Sequence, residues 1–163
     1  MNTLDSITNF FQILPTIATA GQPTAAQFEA VREAGFEVVV NLAMSNSDNA
    51  LPNEAGVVTG LGMNFVHIPV VWTNPTSGDL AQFFAVMDGN RDRRVFVHCA
   101  LNYRVSSFMY LYRVLRLGAD EEAARWDLLS IWEPDERWST FIAEARQSAA
   151  KAATTNENRS FEQ

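Results

Sequence analysis

Cys99 is the single cysteine of the chain, and its neighbours are the residue types a reactive thiol needs. An apolar run, Val95-Phe96-Val97, leads into His98-Cys99. A tight loop, Ala100-Leu101-Asn102-Tyr103-Arg104, follows, and Ser106 and Ser107 open a long apolar helix. This pattern reads as strand, loop, helix. Amide groups at a helix N-terminus point outward, and the helix dipole favours negative charge there. A thiol in that place tends to ionise, and the thiolate is the nucleophile. Arg104 adds a forked, permanently charged donor suited to an oxyanion such as phosphate. Ser106 or Ser107 is placed to donate a hydrogen bond to the sulfur. The competing reading is a buried structural cysteine, a common fate for a free thiol. The arginine and serines that follow at this spacing favour the reactive one.

Such a loop needs a sheet to hold it. Phe36–Leu42 (FEVVVNL) is a β-branched run of the kind found in a buried parallel strand, and Met63–Val70 (MNFVHIPV) is another. Short extended pieces are expected at Asn9–Ile13 and Ile17–Ala20. Thr24-Ala25-Ala26-Gln27 has capping-box spacing, with Phe28 and Val31 behind it and Gly35 as the stop. Thr76-x-x-Asp79 repeats that spacing, which makes Asp79 a helix-start residue. The helix from Ser77 to about Gly89 carries Leu80, Phe83, Phe84 and Met87 as a core stripe. A short helix is expected from about Asn53 to Gly60. Two more span Ala119–Ile131 and Pro134–Ala145, with Trp126, Trp132, Trp138 and Phe141 packing them onto the domain. Asp48 and Glu54 read as solvated surface, and His67 as a packed or edge-satisfied histidine. Glu133 and Asp135 lie near a helix start, where carboxylates complement the dipole.

Alternating strands and helices with short loops imply an α/β fold, a mostly parallel central sheet flanked by helices. In such sheets ligands bind beyond the carboxyl ends of the strands. The loops after Leu42, Val70 and Val97 should therefore converge on Cys99. Trp72, with Asn74 and Tyr103, is placed to wall the pocket. With 163 residues, one domain is expected over residues 1–146, and a frayed or flexible polar tail over 147–163. A formal net charge of −7 argues against nucleic-acid and anionic-membrane partners. One cysteine excludes an internal disulfide framework and fits a reducing, cytoplasmic setting. Two scattered histidines give no metal-ligand cluster, so no metal and no cofactor is expected. No signal peptide or membrane span is evident.

The pieces together resemble the cysteine-dependent protein tyrosine phosphatase superfamily. They are similar in particular to small bacterial dual-specificity-like phosphatases, a group also found fused to β-lactamase-like hydrolase domains. The carriers are His98-Cys99 through Arg104 and Ser106, with Ala20-Gly21-Gln22-Pro23-Thr24, Gly35-Phe36, Val39-Val40-Asn41-Leu42 and His67-Ile68-Pro69-Val70, over about residues 10–145. The resemblance implies a cysteine-phosphatase-like fold and a phosphorylated substrate. It also implies attack by Cys99 on phosphorus to form a phosphocysteine. The amides of Ala100, Leu101, Asn102, Tyr103 and Arg104, with the Arg104 guanidinium, would hold the phosphate oxygens. Ser106 or Ser107 would ease departure of the thiolate.

Two departures stand out. Only four residues separate Cys99 from Arg104, one fewer than the superfamily uses. Asn102 falls on the usual glycine position, and Asn is the next-best residue for a left-handed backbone. The loop after the HIPV strand, Val71-Trp72-Thr73-Asn74-Pro75, lacks the superfamily's general-acid aspartate. A short loop is also similar to that of single-domain rhodaneses, so sulfur transfer and a phosphate-binding pseudoenzyme stay open as alternatives.

Overall fold

The computed structural model describes residues 3–161. Five strands form one sheet: β1 (Phe11–Leu14), β2 (Ile17–Ala20), β3 (Val38–Asn41), β4 (Asn64–His67) and β5 (Val95–His98). Their order is β1-β2-β5-β3-β4, with β1 antiparallel to β2 and all other pairings parallel. The expected α/β architecture is thus the observed one. Strand β5 is central, with Val95–His98 in register between Ile17–Ala20 and Val38–Asn41.

Helices cover both faces because the strands are apolar on both. Side chains alternate along a strand with a period of two. Val38, Val40, Val95 and Val97 therefore face one core with α3 (Ser77–Gly89), α4 (Tyr103–Leu115), α5 (Glu121–Ile131) and α6 (Glu136–Phe161). Val39 and Phe96 face the other, with α1 (Ala25–Glu33) and α2 (Glu54–Gly60). Val105, Phe108, Met109, Leu111 and Tyr112 of α4 are all buried, which makes it the inner helix. Both capping boxes form: Thr24 with Gln27 and Thr76 with Asp79 each make the reciprocal pair. Gly35 and Gly118 end their helices with φ of +93° and +65°, a region few other residues tolerate.

Three expectations need correction. Helix α4 starts at Tyr103 rather than Ser106, so Arg104 belongs to its first turn and the connecting loop is shorter than the sequence suggested. The cause is Asn102, whose left-handed backbone (φ +70°) makes the turn one residue after Leu101. Trp126 does not pack onto the domain; it is 76% exposed on α5. Helix α6 runs from Glu136 to Phe161, continuous through most of the stretch read as a tail, although Ala150–Arg159 is exposed throughout. Its alanine-rich part, residues 149–153, has the propensity for helix without the apolar face for packing. The last two residues of that stretch, Glu162 and Gln163, lie outside the described residues.

Candidate active site

Cys99 follows β5 at the carboxyl edge of the sheet. Its N–H continues the parallel ladder, donating to the Ala20 carbonyl (3.3 Å), and the residue is buried. The loop then crosses Gly21, forming an isolated bridge between Leu101 and Gly21. Gly21 is required there by space. A Cβ on it would stand 2.8 Å from the Ala100 carbonyl oxygen and 3.1 Å from Thr8.

Donors from outside the loop hold its carbonyls one by one. The Cys99 carbonyl accepts from His98 Nδ1 (3.2 Å). The Ala100 carbonyl accepts from the Gln22 backbone N–H (3.1 Å) and from Asn49 Nδ2 (3.0 Å). The Leu101 carbonyl accepts from Asn9 Nδ2 (2.9 Å). A planar trans peptide directs its N–H opposite to its C=O. Pinning the carbonyls of Cys99 and Ala100 therefore turns the N–H groups of Ala100 and Leu101 to the opposite side, away from Gln22 and Asn49. Such successive amides make an anion-binding concavity. Asn102 closes the turn from inside: its Nδ2 donates to the Asn9 carbonyl (2.8 Å) and to Thr19 Oγ1 (3.1 Å).

Arg104 is buried, and its Nη1 donates to the Val70 carbonyl (2.9 Å). That bond ties the first turn of α4 to the end of the HIPV segment. The guanidinium carbon lies 6.0 Å from the Trp72 ring. A guanidinium has five N–H donors; no other described residue takes one here. Trp72 is part of an aromatic cluster. Its ring lies 6.3 Å from Tyr103 and 5.5 Å from both Trp132 and Trp138, and Tyr103 stacks on Trp132 at 4.7 Å. Its carbonyl also accepts from Trp138 Nε1 (3.1 Å). Trp72 therefore anchors its loop while leaving 37% of its surface open beside Arg104. Asn74 closes a turn with its N–H on the Val71 carbonyl (3.0 Å), and the residue is exposed.

The serines are not on the sulfur. Ser106 and Ser107 Oγ both donate to the Tyr103 carbonyl, at 3.1 and 2.9 Å. This back-bonding to the preceding turn is the usual local choice of a helical hydroxyl. His67 is satisfied as expected, with Nε2 on the Ala43 carbonyl (2.6 Å). Asp135 caps α6 by accepting the Trp138 N–H (2.9 Å).

Glu54 overturns its sequence reading. It is 7% exposed, not solvated, and lies beneath the loop. Its Oε2 meets His98 Nε2 at 2.9 Å, Asn41 Nδ2 donates to it at 3.0 Å, and Gln22 Nε2 donates to Oε1 at 2.5 Å. Burial pushes this carboxyl up. The hydrogen bond and charge of His98, with the bonds from Gln22 and Asn41, outweigh it and hold the group below its ordinary value. The Gln22 and Asn41 of the AGQPT and VVNL segments thus support the loop from behind. No local sequence signal marks Glu54, because a carboxylate in the first turn of a short helix is ordinary surface.

Among the described residues no cluster of ligand-type side chains could hold a metal ion, and no helix is long and apolar enough to cross a membrane.

The profile of the DSP-PTPase phosphatase fused to NAD+ kinase matches residues 14–161. The chain belongs to this family. It is a member of the protein tyrosine and dual-specificity phosphatase superfamily, as the sequence motifs indicated. A candidate phosphatase of the DUF442 group from Shewanella putrefaciens CN-32 shares 34% identity with it, with a TM-score of 0.79 over 90% of this chain and 96% of that one. Tk-PTP in its active form superposes with a TM-score of 0.73 at 16% identity, covering 85% of this chain and 97% of that one. TpbA of P. aeruginosa does so with 0.68 at 17% identity, covering 88% and 91%. The last two likenesses are of fold. No curated protein matched the chain.

Proposed function

We propose that this DSP-PTPase family member hydrolyses phosphate monoesters through a phosphocysteine on Cys99. The observation that carries the reading is the loop itself: a thiol at its base, amides of Ala100 and Leu101 turned to one side, and Arg104 at the start of the helix that closes it. The Cys99 thiolate attacks phosphorus in line with the ester oxygen. The P–O bond breaks, and the leaving oxygen takes its proton from solvent or a solvated acid. Water then attacks phosphorus, the P–S bond breaks, and inorganic phosphate and the thiolate are released. Positioning and electrostatic stabilisation supply most of the rate in such transfers. The loop amides from Ala100 to Tyr103 and the Arg104 guanidinium receive the equatorial oxygens. For Ser106 to assist thiolate departure, its hydroxyl must rotate off the Tyr103 carbonyl. Trp72 and Tyr103 offer an aromatic wall beside Arg104 for the organic part of a phosphorylated substrate.

The loop Val71–Pro75 carries no carboxylate, so the enzyme lacks the usual protonation of a poor leaving group. General-acid help is worth on the order of 10²–10⁴ in rate. Good leaving groups are therefore the substrates of choice. The same absence favours the second reading, a phosphate-binding protein without turnover. Sulfur transfer of the rhodanese kind is not favoured, because the family and the fold likeness are those of phosphatases.

The test is release of p-nitrophenol from p-nitrophenyl phosphate between pH 5 and 8. Wild type is run beside Cys99→Ser and Arg104→Ala. Turnover in wild type, lost in both variants, is expected. A rate no higher than that of Cys99→Ser overturns the hydrolytic reading and leaves phosphate binding, measured by calorimetry, as the alternative.

A further inference from the structure

His98 is fully buried, yet both of its ring nitrogens face acceptors. Nε2 is 2.9 Å from the Glu54 carboxylate and Nδ1 is 3.2 Å from the Cys99 carbonyl oxygen. A carbonyl oxygen can only accept. A neutral imidazole has one N–H, so it must set a lone pair against one of these two partners. Doubly protonated, it satisfies both. The carboxylate is in turn specified by its other contacts. Asn41 Oδ1 accepts the Ala43 N–H (2.7 Å), which leaves Asn41 Nδ2 to point at Glu54. Gln22 Nε2 also donates to the Pro23 carbonyl (3.0 Å), which fixes that amide the same way. Glu54 thus receives two amide N–H groups that do not depend on the state of His98, an arrangement that favours the ionised form. The rings of Phe28 and Phe96 lie 5.8 and 6.4 Å from the imidazole and seal the pair from water.

We propose that Glu54 is a positioning residue: its carboxylate keeps His98 doubly protonated, so that Nδ1–H holds the Cys99 carbonyl beneath the loop. The peptide that follows is planar, and no cis bond occurs among the described residues. Holding that carbonyl down aims the Ala100 N–H up, at the place an oxyanion occupies beside Cys99. Charge-assisted bonds are shorter and stronger than neutral ones, which suits a contact that must not yield when the loop fills. The assignment of a role in turnover rests on the phosphatase reading; the proton state of His98 does not.

The experiment is a long-range proton–nitrogen correlation spectrum of the ¹⁵N-labelled full chain at pH 7. The chain has two histidines, so a His67→Asn variant assigns both ring systems. Two protonated ring nitrogens on His98 in wild type are expected. In the near-isosteric Glu54→Gln variant, one nitrogen should become unprotonated. With p-nitrophenyl phosphate, kcat of that variant should fall roughly ten- to a hundredfold, with little change in KM, since a small misplacement of reacting groups costs about that much. An unprotonated His98 nitrogen in wild type overturns the proposal. So does a Glu54→Gln variant whose His98 spectrum and kcat match wild type. If Glu54→Gln does not fold, the wild-type spectrum alone decides. If wild type shows no turnover, the phosphatase reading falls, and the spectra still decide what Glu54 does to His98.

Discussion

Asn102 is the position on which the short loop depends, and substitutions there separate backbone from side-chain effects. Its φ of +70° places it in the left-handed region. Its Nδ2 makes two bonds, to the Asn9 carbonyl and to Thr19 Oγ1. Glycine keeps the conformation and loses both bonds. At about 1 kcal/mol net per bond the loss is roughly 2 kcal/mol, and Asn9, being exposed, can regain water. The buried Asn102 Oδ1 has no partner among the described residues, so its removal returns part of that cost. Alanine loses the same bonds and adds about 1–2 kcal/mol of left-handed strain. Glycine's larger unfolded-state entropy offsets about 0.5–1 kcal/mol of the difference. The expected order of stability is wild type, then Asn102→Gly at about 1–2 kcal/mol below, then Asn102→Ala at about 2–3 kcal/mol below. Asn102→Asp should be worst, because it directs a buried carboxylate at the Asn9 carbonyl, which can only accept. Urea unfolding followed by tryptophan fluorescence measures all four at constant m. An alanine variant as stable as the glycine one, or within 0.5 kcal/mol of wild type, would refute the argument that this residue is chosen for its backbone. The glycine variant should keep most turnover, since the loop path survives.

Other perturbations follow from the same contacts. Gly21→Ala places a methyl 2.8 Å from the Ala100 carbonyl. It should cost about 1–3 kcal/mol in chemical unfolding and raise KM, because the loop must move to make room. Trp72→Ala removes the anchor shared with Trp132, Trp138 and Tyr103. A loss of about 3–4 kcal/mol in urea is expected, with kcat/KM falling more for aryl than for alkyl phosphates. Glu54 has a folded-state value below its ordinary 4.5, so its contribution to stability is complete above about pH 4.5 and is lost as pH falls through the folded value. Unfolding free energy measured from pH 7 down to 3 should therefore decline, and less steeply in Glu54→Gln. An equal slope in both would show that another carboxylate governs the acid limb. Rates on a series of aryl phosphates should rise steeply as the leaving group becomes more acidic, as expected without a general acid. A flat series would show that some residue outside Val71–Pro75 protonates it.

Much of the fold was legible because it is written in local periodicity. The runs Val38–Val40 and Val95–Val97 are apolar on consecutive residues, which a strand needs only when both its faces are covered. Thr24 and Thr76 announced two helix starts through capping boxes whose spacing has few other uses. The order strand, loop, helix around Cys99 and Arg104 was legible from the apolar run before Cys99 and the apolar helix after it. The failures have separate causes. The left-handed turn at Asn102 was anticipated, but not that α4 would begin at the very next residue, ahead of its serines. The helix beyond Gln147 forms from propensity without burial, so no periodic stripe betrayed it. Trp126 was assigned to the core because tryptophan usually buries, yet here it lies on the outer face of α5.

Glu54 shows the limit of reading a loop locally. Asn9, Gln22, Asn49 and Glu54 are polar residues in turn-rich segments, and each taken alone is ordinary surface. They come from four separate stretches, and three of the four bind the loop directly while Glu54 acts through His98. On the phosphatase reading, a four-residue loop has few amides to spare for holding itself, because they are wanted for the ligand. Its carbonyls must then be held by donors brought from elsewhere, and only tertiary structure can bring them. Removing a side chain that bonds the loop directly, Asn9 or Asn49, should therefore disturb anion affinity before it disturbs the fold.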